Sequence, residues 1–206
     1  MEHINRYFPH LDEVQKERFA TMLRLYPEWN VKINVISRKD IENLELHHVV
    51  HSLLIGKFIN WTPGTRVLDL GTGGGFPAIP LSVLFPGVQF HLVDRVGKKL
   101  RVATDVARQC GLQNVSIQHG DVREVKGKFD FVVSRAVMPL ADMVPLVKRL
   151  IAGEQHNAMP NGLICLKGGE LEAEIARFKS NCIIESLETY CDDPYFQTKK
   201  IVYLPL

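Results

Sequence analysis

Arg66-Val67-Leu68-Asp69-Leu70-Gly71-Thr72-Gly73-Gly74-Gly75-Phe76-Pro77-Ala78 reads as a buried strand, a glycine turn and the start of a helix. Val67, Leu68 and Leu70 form a short apolar run with β-branched character. Gly71, Gly73, Gly74 and Gly75 permit positive φ and close approach of another molecule to the backbone. Pro77 suits the first turn of a helix, where its missing N–H costs nothing. Such a unit is expected to leave N–H groups free at the carboxyl end of a sheet, where doubly wound folds bind cofactors.

Downstream, strands and helices alternate. A helix over 79–85 is stopped by Pro86-Gly87, and a strand over 88–93 ends at Asp94. A helix over 98–110 is capped by Gly111, and a strand over 115–118 ends at His119-Gly120-Asp121. A strand over 129–133 ends at Ser134-Arg135 and is followed by a helix over 140–151. A strand over 163–166 ends at Lys167-Gly168-Gly169, a charged helix covers 170–179, and 183–190 pairs with 200–204 as a terminal hairpin. The alternation predicts an α/β fold, a doubly wound and mostly parallel sheet covered on both faces. Residues 153–161 read as an irregular linker.

Upstream, Leu11, Val14, Phe19, Met22, Leu23 and Tyr26 follow helical spacing, and Pro27 is expected to end that helix. A connector over 29–36 follows. Ser37-Arg38-Lys39-Asp40 has the form of a capping box, opening a helix with Ile41, Leu44, His48, Val49, Ser52 and Leu53 on one face and an end near Gly56. Residues 1–60 therefore form an N-terminal helical extension, and 61–206 the core domain.

The chain has 206 residues, 46% hydrophobic and 23% charged, an ordinary globular composition for one main domain with a small addition. A formal charge of +2 is compatible with a polyanionic partner but does not demand one. No apolar run spans a bilayer, and Met1-Glu2-His3-Ile4-Asn5 lacks the features of a signal peptide. Cys110, Cys165, Cys182 and Cys191 include no Cys-x-x-Cys pair, so reduced thiols in a cytoplasmic protein are expected.

Polar residues recur at the carboxyl ends of successive strands: Asp69, Asp94, Asp121 and Ser134-Arg135. Asp94 lies about 20 residues past the glycine turn, the separation of a carboxylate that holds ribose hydroxyls. Gly73 to Ala78 satisfies G-x-G-x-x-[GA], the dinucleotide pattern, yet Gly71 already opens the turn two residues earlier. On these residues alone a nicotinamide-dependent oxidoreductase and a non-catalytic RNA-binding module stay open. Lys98, Lys99 and Arg101 form a basic cluster that suits phosphate contact or plain solvation. His47 and His51 could share a helix face but lack a third ligand, so no metal is expected and RNA contact or plain solvation is preferred. Trp29 is read as core, and Asp193-Pro194-Tyr195-Phe196 as a turn.

The frame Asp69-x-Gly71-x-Gly73-x-Gly75 resembles the first motif of class I S-adenosylmethionine-dependent methyltransferases, a Rossmann-like fold with a seven-stranded sheet. Trp29-Asn30-x-x-x-Asn34, Asp69 to Pro77, Gly97-Lys98-Lys99, Ser134-Arg135-Ala136 and Leu166-Lys167-Gly168 together resemble one family over nearly the whole chain. It is the bacterial small-subunit (16S) ribosomal RNA guanine-N7 methyltransferase family, also called glucose-inhibited division protein B. The resemblance implies S-adenosylmethionine as cofactor, held by Gly71, Gly73, Gly75, Phe76, Asp94, Asp121, Val122, Arg123 and Arg135. It implies Arg135 and Lys167 as residues that position base or phosphate. Its partner would be small-subunit ribosomal RNA or the ribosomal particle, met by Lys98, Lys99, Arg101, His47 and His51, with the enzyme a monomer. Two departures stand out. The family's Gly-Pro-Gly-x-Pro-Gly loop reads Gly73-Gly74-Gly75-Phe76-Pro77-Ala78 here, and its Arg-His and Asp appear as His47-His48 and His51.

Overall fold

A computed structural model describes residues 1–206. Seven strands form one sheet: β1 (Arg66–Leu70), β2 (Gln89–Asp94), β3 (Val115–His119), β4 (Phe131–Arg135), β5 (Gly162–Gly168), β6 (Ile183–Ser186) and β7 (Lys199–Pro205). Their order is β3-β2-β1-β4-β5-β7-β6. β1 to β5 pair in parallel, whereas β7 runs antiparallel to both β5 and β6. From β1 the chain moves outward through β2 and β3, then returns to place β4 on the other side. The crevice beyond the carboxyl ends of β1 and β4 is therefore the topological switch point, where such sheets receive ligands.

The period-two pattern of the strands divides the core. Phe131 and Val133 of β4 join Val67, Phe90 and Ile164 in the larger apolar cluster, while Val132 joins Leu68, Leu163 and Cys165 on the other face. Helices cover both faces: α5 (Ala78–Leu84), α6 (Gly97–Gln109), α7 (Leu140–Val147) and the short α8 (Glu172–Ile175). The N-terminal extension carries α1 (Glu2–Tyr7), α2 (Glu13–Lys32), α3 (His51–Leu53) and α4 (Ile55–Phe58). Its Ile4, Phe19, Met22, Tyr26, Leu53 and Leu54 belong to the same larger cluster, so residues 1–60 and 61–206 bury one continuous apolar layer.

Several elements depart from expectation. Pro27 lies inside α2, which continues to Lys32. Proline costs the helix one bond, but anchors on either side of it hold the course. The Tyr26 hydroxyl donates to the Gly74 carbonyl at 2.8 Å, and the Asn30 side chain bonds the backbone of Val35 and Ile36. The capping-box reading at Ser37 fails as well. Helical structure starts at Ile41–Asn43 as a 3₁₀ turn, widens to a π-helical stretch over Leu44–Val50, and reaches α3 and α4. The Asp40 carboxylate caps no backbone; it accepts from His47 and His48. Gly56 sits within α4 rather than after it, and a Cβ there would meet Leu84 at 2.5 Å, so glycine lets α4 lie against α5. The expected helix over 170–179 shortens to α8, and 183–190 becomes β6 followed by a 3₁₀ turn that buries Leu187.

Candidate functional site

The switch-point crevice has a volume of about 470 Å³ and is walled by the ends of β1, β2 and β4. That is within the range of cofactor pockets. The glycine turn forms its floor. Gly71 (φ +68°), Gly73 (φ +58°) and Gly75 (φ +108°) adopt conformations that a side chain strains. A Cβ on Gly71 would stand 2.6 Å from Val137. At Gly73 a Cβ would find only Lys99, 4.0 Å away, so it would project into open crevice. Gly75 faces the other way, toward Ile79 and the Tyr26 hydroxyl, and shapes the turn without lining the crevice.

Of the expected free N–H groups only one remains. Gly71 and Thr72 donate to Val93 O, Gly73 to Asp94 Oδ2, Gly75 and Phe76 to Thr72 O, and Ala78 to Asp69 Oδ2. Pro77 has none, which leaves Gly74 alone without an internal acceptor. The end of β2 and two carboxylates have consumed the anion-binding capacity of the turn.

Asp69 lies wholly buried beneath the loop. Its Oδ2 accepts from Thr72 Oγ1 at 2.7 Å and from the Ala78 N–H at 3.0 Å, while Oδ1 has no partner. Burial pushes its carboxyl up to about 7 against the pull of these two donors. Asp94 ends β2 on the crevice wall. Oδ2 takes the Gly73 N–H at 2.8 Å and Oδ1 the Val96 N–H at 2.7 Å. Each carboxylate oxygen keeps a second acceptor direction for a ligand hydroxyl.

Arg135 ends β4 on the opposite wall. Its guanidinium lies 4.9 Å from the Phe76 ring centroid, and Nη2 donates to His48 Nδ1 at 3.1 Å. No carboxylate pairs with it. Burial pushes the Arg135 pKa below the ordinary arginine value, because the cation is held poorly solvated. Since arginine only donates, His48 Nδ1 must accept, and Nε2–H donates to Asp40 Oδ2 at 2.7 Å. Burial, then Arg135, push His48 down to about 4, so this linker is neutral.

Val122 and Lys99 reach the crevice. Asp121 does not; its carboxylate is engaged by Arg95 and by Arg123 at 2.9 Å and caps the turn after β3. Arg123 points with it. Ser134 donates to Leu70 O and braces β4 against β1. The basic cluster splits: Lys99 faces the crevice, whereas Lys98 and Arg101 line a separate groove beside Trp29, whose Nε1 donates to Asp105 at 2.8 Å. Trp29 is half-buried, packed against the larger apolar cluster with one side on this groove. Lys167 Nζ is spent on Glu174 and the Met138 carbonyl, each at 2.7 Å. His47 stacks on Tyr195, with centroids 3.6 Å apart, and bonds Asp40. His51 is only 5% exposed and faces an inner chamber, so it cannot meet RNA on an outer surface.

Tyr26 and Val35 escaped the sequence reading. Tyr26 holds the Gly74 carbonyl and packs on Phe76 at 4.6 Å, and Val35 covers Gly74, where a Cβ would lie 2.8 Å from its own. The N-terminal extension thus clamps the glycine loop from outside. Only the helical spacing of Tyr26 hinted that it faces inward.

Comparison with known proteins agrees with this geometry. The chain matches the family model GidB, rRNA small subunit methyltransferase G, over residues 15–193. A protein named ribosomal RNA small subunit methyltransferase G from Bacteroides thetaiotaomicron is 60% identical over 203 residues, covering 98% of each chain. A protein of the same name from Cytophaga hutchinsonii is 44% identical over 205 residues, covering 100% of this chain and 99% of its own. Among solved structures, Aeropyrum pernix fibrillarin with natively bound S-adenosyl-L-methionine aligns with a TM-score of 0.52 at 17% identity, covering 76% of this chain and 73% of that one. TrmN from Thermus thermophilus aligns with a TM-score of 0.55 at 16% identity, covering 77% and 49%. These two share the fold. By its full-length relatives and its family match, the chain belongs to the rRNA small subunit methyltransferase G family.

Proposed function

We propose that this chain transfers a methyl group from S-adenosylmethionine to N7 of a guanine in small-subunit ribosomal RNA, acting as a cytoplasmic monomer on the RNA or the ribosomal particle. The observation that carries the choice of cofactor is the spent backbone of the glycine turn. A dinucleotide needs N–H groups for its pyrophosphate, and from Gly71 to Ala78 only Gly74 retains one. S-Adenosylmethionine has no phosphate. Its sugar diol suits the acceptor directions of Asp94, its carboxylate suits the unpaired Arg135 cation, and its close approach suits the bare Gly73 floor.

When bound, this cofactor supplies an electrophilic methyl group on a sulfonium centre. Guanine N7 carries an in-plane lone pair and no proton at neutral pH, so the protein need not supply a general base. The residues agree with that requirement. Asp69 is sealed under the loop and His48 is locked between Asp40 and Arg135, so neither presents a free base to the crevice. The protein's task is then to bind, align and exclude water, with reacting atoms held about 3–3.5 Å apart.

Calorimetry of the purified protein with S-adenosylhomocysteine and with NADH tests the reading. S-Adenosylhomocysteine is expected to bind and NADH is not. Binding of NADH alone would overturn the proposal in favour of an oxidoreductase, and RNA binding with neither cofactor would leave an RNA-binding module.

A further inference from the structure

Arg135 is a cation held in place without being neutralised. It is the last residue of β4, followed by the turn at Ala136 (φ +53°). The Phe76 ring covers its guanidinium, 4.9 Å from the centroid, and Phe76 is itself backed by Tyr26 at 4.6 Å. The side chain's one hydrogen bond runs from Nη2 to His48 Nδ1 at 3.1 Å. A guanidinium carries five N–H groups, so the others stay uncommitted beside the crevice that Arg135 lines.

A carboxylate in the place of His48 would pair with the guanidinium and compete with an incoming anion. A neutral imidazole fixes the orientation of the group and leaves its charge whole. It does so in one tautomer only, because with hydrogen on Nδ1 two donors would face each other across 3.1 Å. Asp40 Oδ2, 2.7 Å from Nε2, selects the right tautomer by accepting from Nε2–H. Asp40 is fixed in turn. Its Oδ1 accepts from His47 at 2.6 Å and from Asn43 at 3.3 Å, and His47 lies flat on the Tyr195 ring with centroids 3.6 Å apart. His47 and His48 are consecutive, and an ordinary α-helix would point them well apart. They lie in the π-helical stretch Leu44–Val50, whose wider turn narrows the angle between neighbours and brings both to one carboxylate.

We infer that Asp40 and His48 are positioning residues, a relay that aims the Arg135 guanidinium at the cofactor's carboxylate while leaving its charge unspent. This role rests on the cofactor reading proposed above.

Calorimetry with two ligands tests the relay: S-adenosylhomocysteine, and its decarboxylated analogue, which lacks only the carboxylate. The parent is expected to prefer S-adenosylhomocysteine. His48→Leu leaves Arg135 without an acceptor, and affinity for S-adenosylhomocysteine is expected to fall roughly 10- to 100-fold, the worth of a hydrogen bond to a charged group. Asp40→Ala is expected to lose roughly 2- to 10-fold, the worth of an ordinary one. Charge alone predicts the reverse for Asp40→Ala, since removing a carboxylate near a cation tightens the binding of an anion. His48→Asn sets an amide oxygen close to where Nδ1 stood and is expected to stay within about threefold of the parent. All three variants are expected to bind the decarboxylated analogue within about threefold of the parent, which also shows that the crevice is intact. Unchanged or tighter binding of S-adenosylhomocysteine by either His48→Leu or Asp40→Ala would overturn the relay, and so would a parallel loss for both ligands, which marks a structural role. If the parent binds the two ligands equally, the carboxylate does not rest on Arg135 and the relay falls, while S-adenosylmethionine stands as cofactor. If the parent binds NADH and neither ligand, the cofactor reading itself falls and the relay with it.

Discussion

Replacing Asp94 separates its two duties. In the structure the carboxylate accepts the Gly73 N–H at 2.8 Å and the Val96 N–H at 2.7 Å while facing the crevice. Asp94→Ala frees both N–H groups at a half-exposed rim where water can reach them. The stability cost is then about 1 kcal/mol, a fall in Tm of roughly 2–4 °C for a chain of this size. Binding should suffer far more. A hydrogen bond to a charged group is worth about 1.5–3 kcal/mol, and two sugar hydroxyls draw on this carboxylate, so affinity should fall by at least about 100-fold. Asp94→Asn keeps one acceptor but turns an amide N–H₂ toward either Gly73 or Val96, and should lose nearly as much. Calorimetry with S-adenosylhomocysteine, beside a thermal melt, measures both quantities. Affinity within threefold of the parent at a lowered Tm would refute the role and leave Asp94 as a brace for the loop.

Tyr26→Phe removes the hydroxyl from the buried Gly74 carbonyl and should cost about 1–2 kcal/mol, seen as a Tm lowered by roughly 2–8 °C and weaker S-adenosylhomocysteine binding. Gly71→Ala meets both positive φ and a Val137 methyl at 2.6 Å; pairing it with Val137→Ala should restore stability only in part, because about 1–2 kcal/mol of backbone strain remains. His48 is pushed down to about 4, so between pH 6.5 and 4 the unfolded chain binds a proton that the folded chain refuses, and stability falls as pH falls. Asp69, raised to about 7, acts in the opposite sense across pH 4 to 7, so the His48 contribution is read as the difference in denaturation free energy between the parent and His48→Gln. A pH-independent difference would exclude it.

What the sequence displays and what it hides divide along chain distance. Short apolar runs bounded by turn residues mark all five parallel strands, because a buried strand needs only its own residues to show its pattern. Asp94 was legible for a similar reason, since a strand–helix–strand unit has a nearly fixed length. The fate of the loop's N–H groups was not. It depends on Val93 and Asp94 lying alongside the loop in space, some 20 residues away in sequence. The Arg135–His48–Asp40 chain spans 95 positions between its ends and leaves no trace in spacing. Pro27 misled because local propensity ends a helix where the Tyr26 and Asn30 anchors continue it. The basic cluster could have been resolved further from sequence. On α6, Lys98 and Arg101 are three apart and share a face, whereas Lys99 turns about 100° away, toward the crevice.

The most direct measurement is the position of the methyl group itself. Small-subunit particles from cells lacking this protein are incubated with it and methyl-labelled S-adenosylmethionine, and the RNA is cleaved chemically at N7-methylguanine. The expected result is label in ribosomal RNA and scission at one guanine. Label on an exocyclic nitrogen, on ribose or on protein, or no transfer to the particle by a protein that binds the cofactor, would contradict methylation at guanine N7.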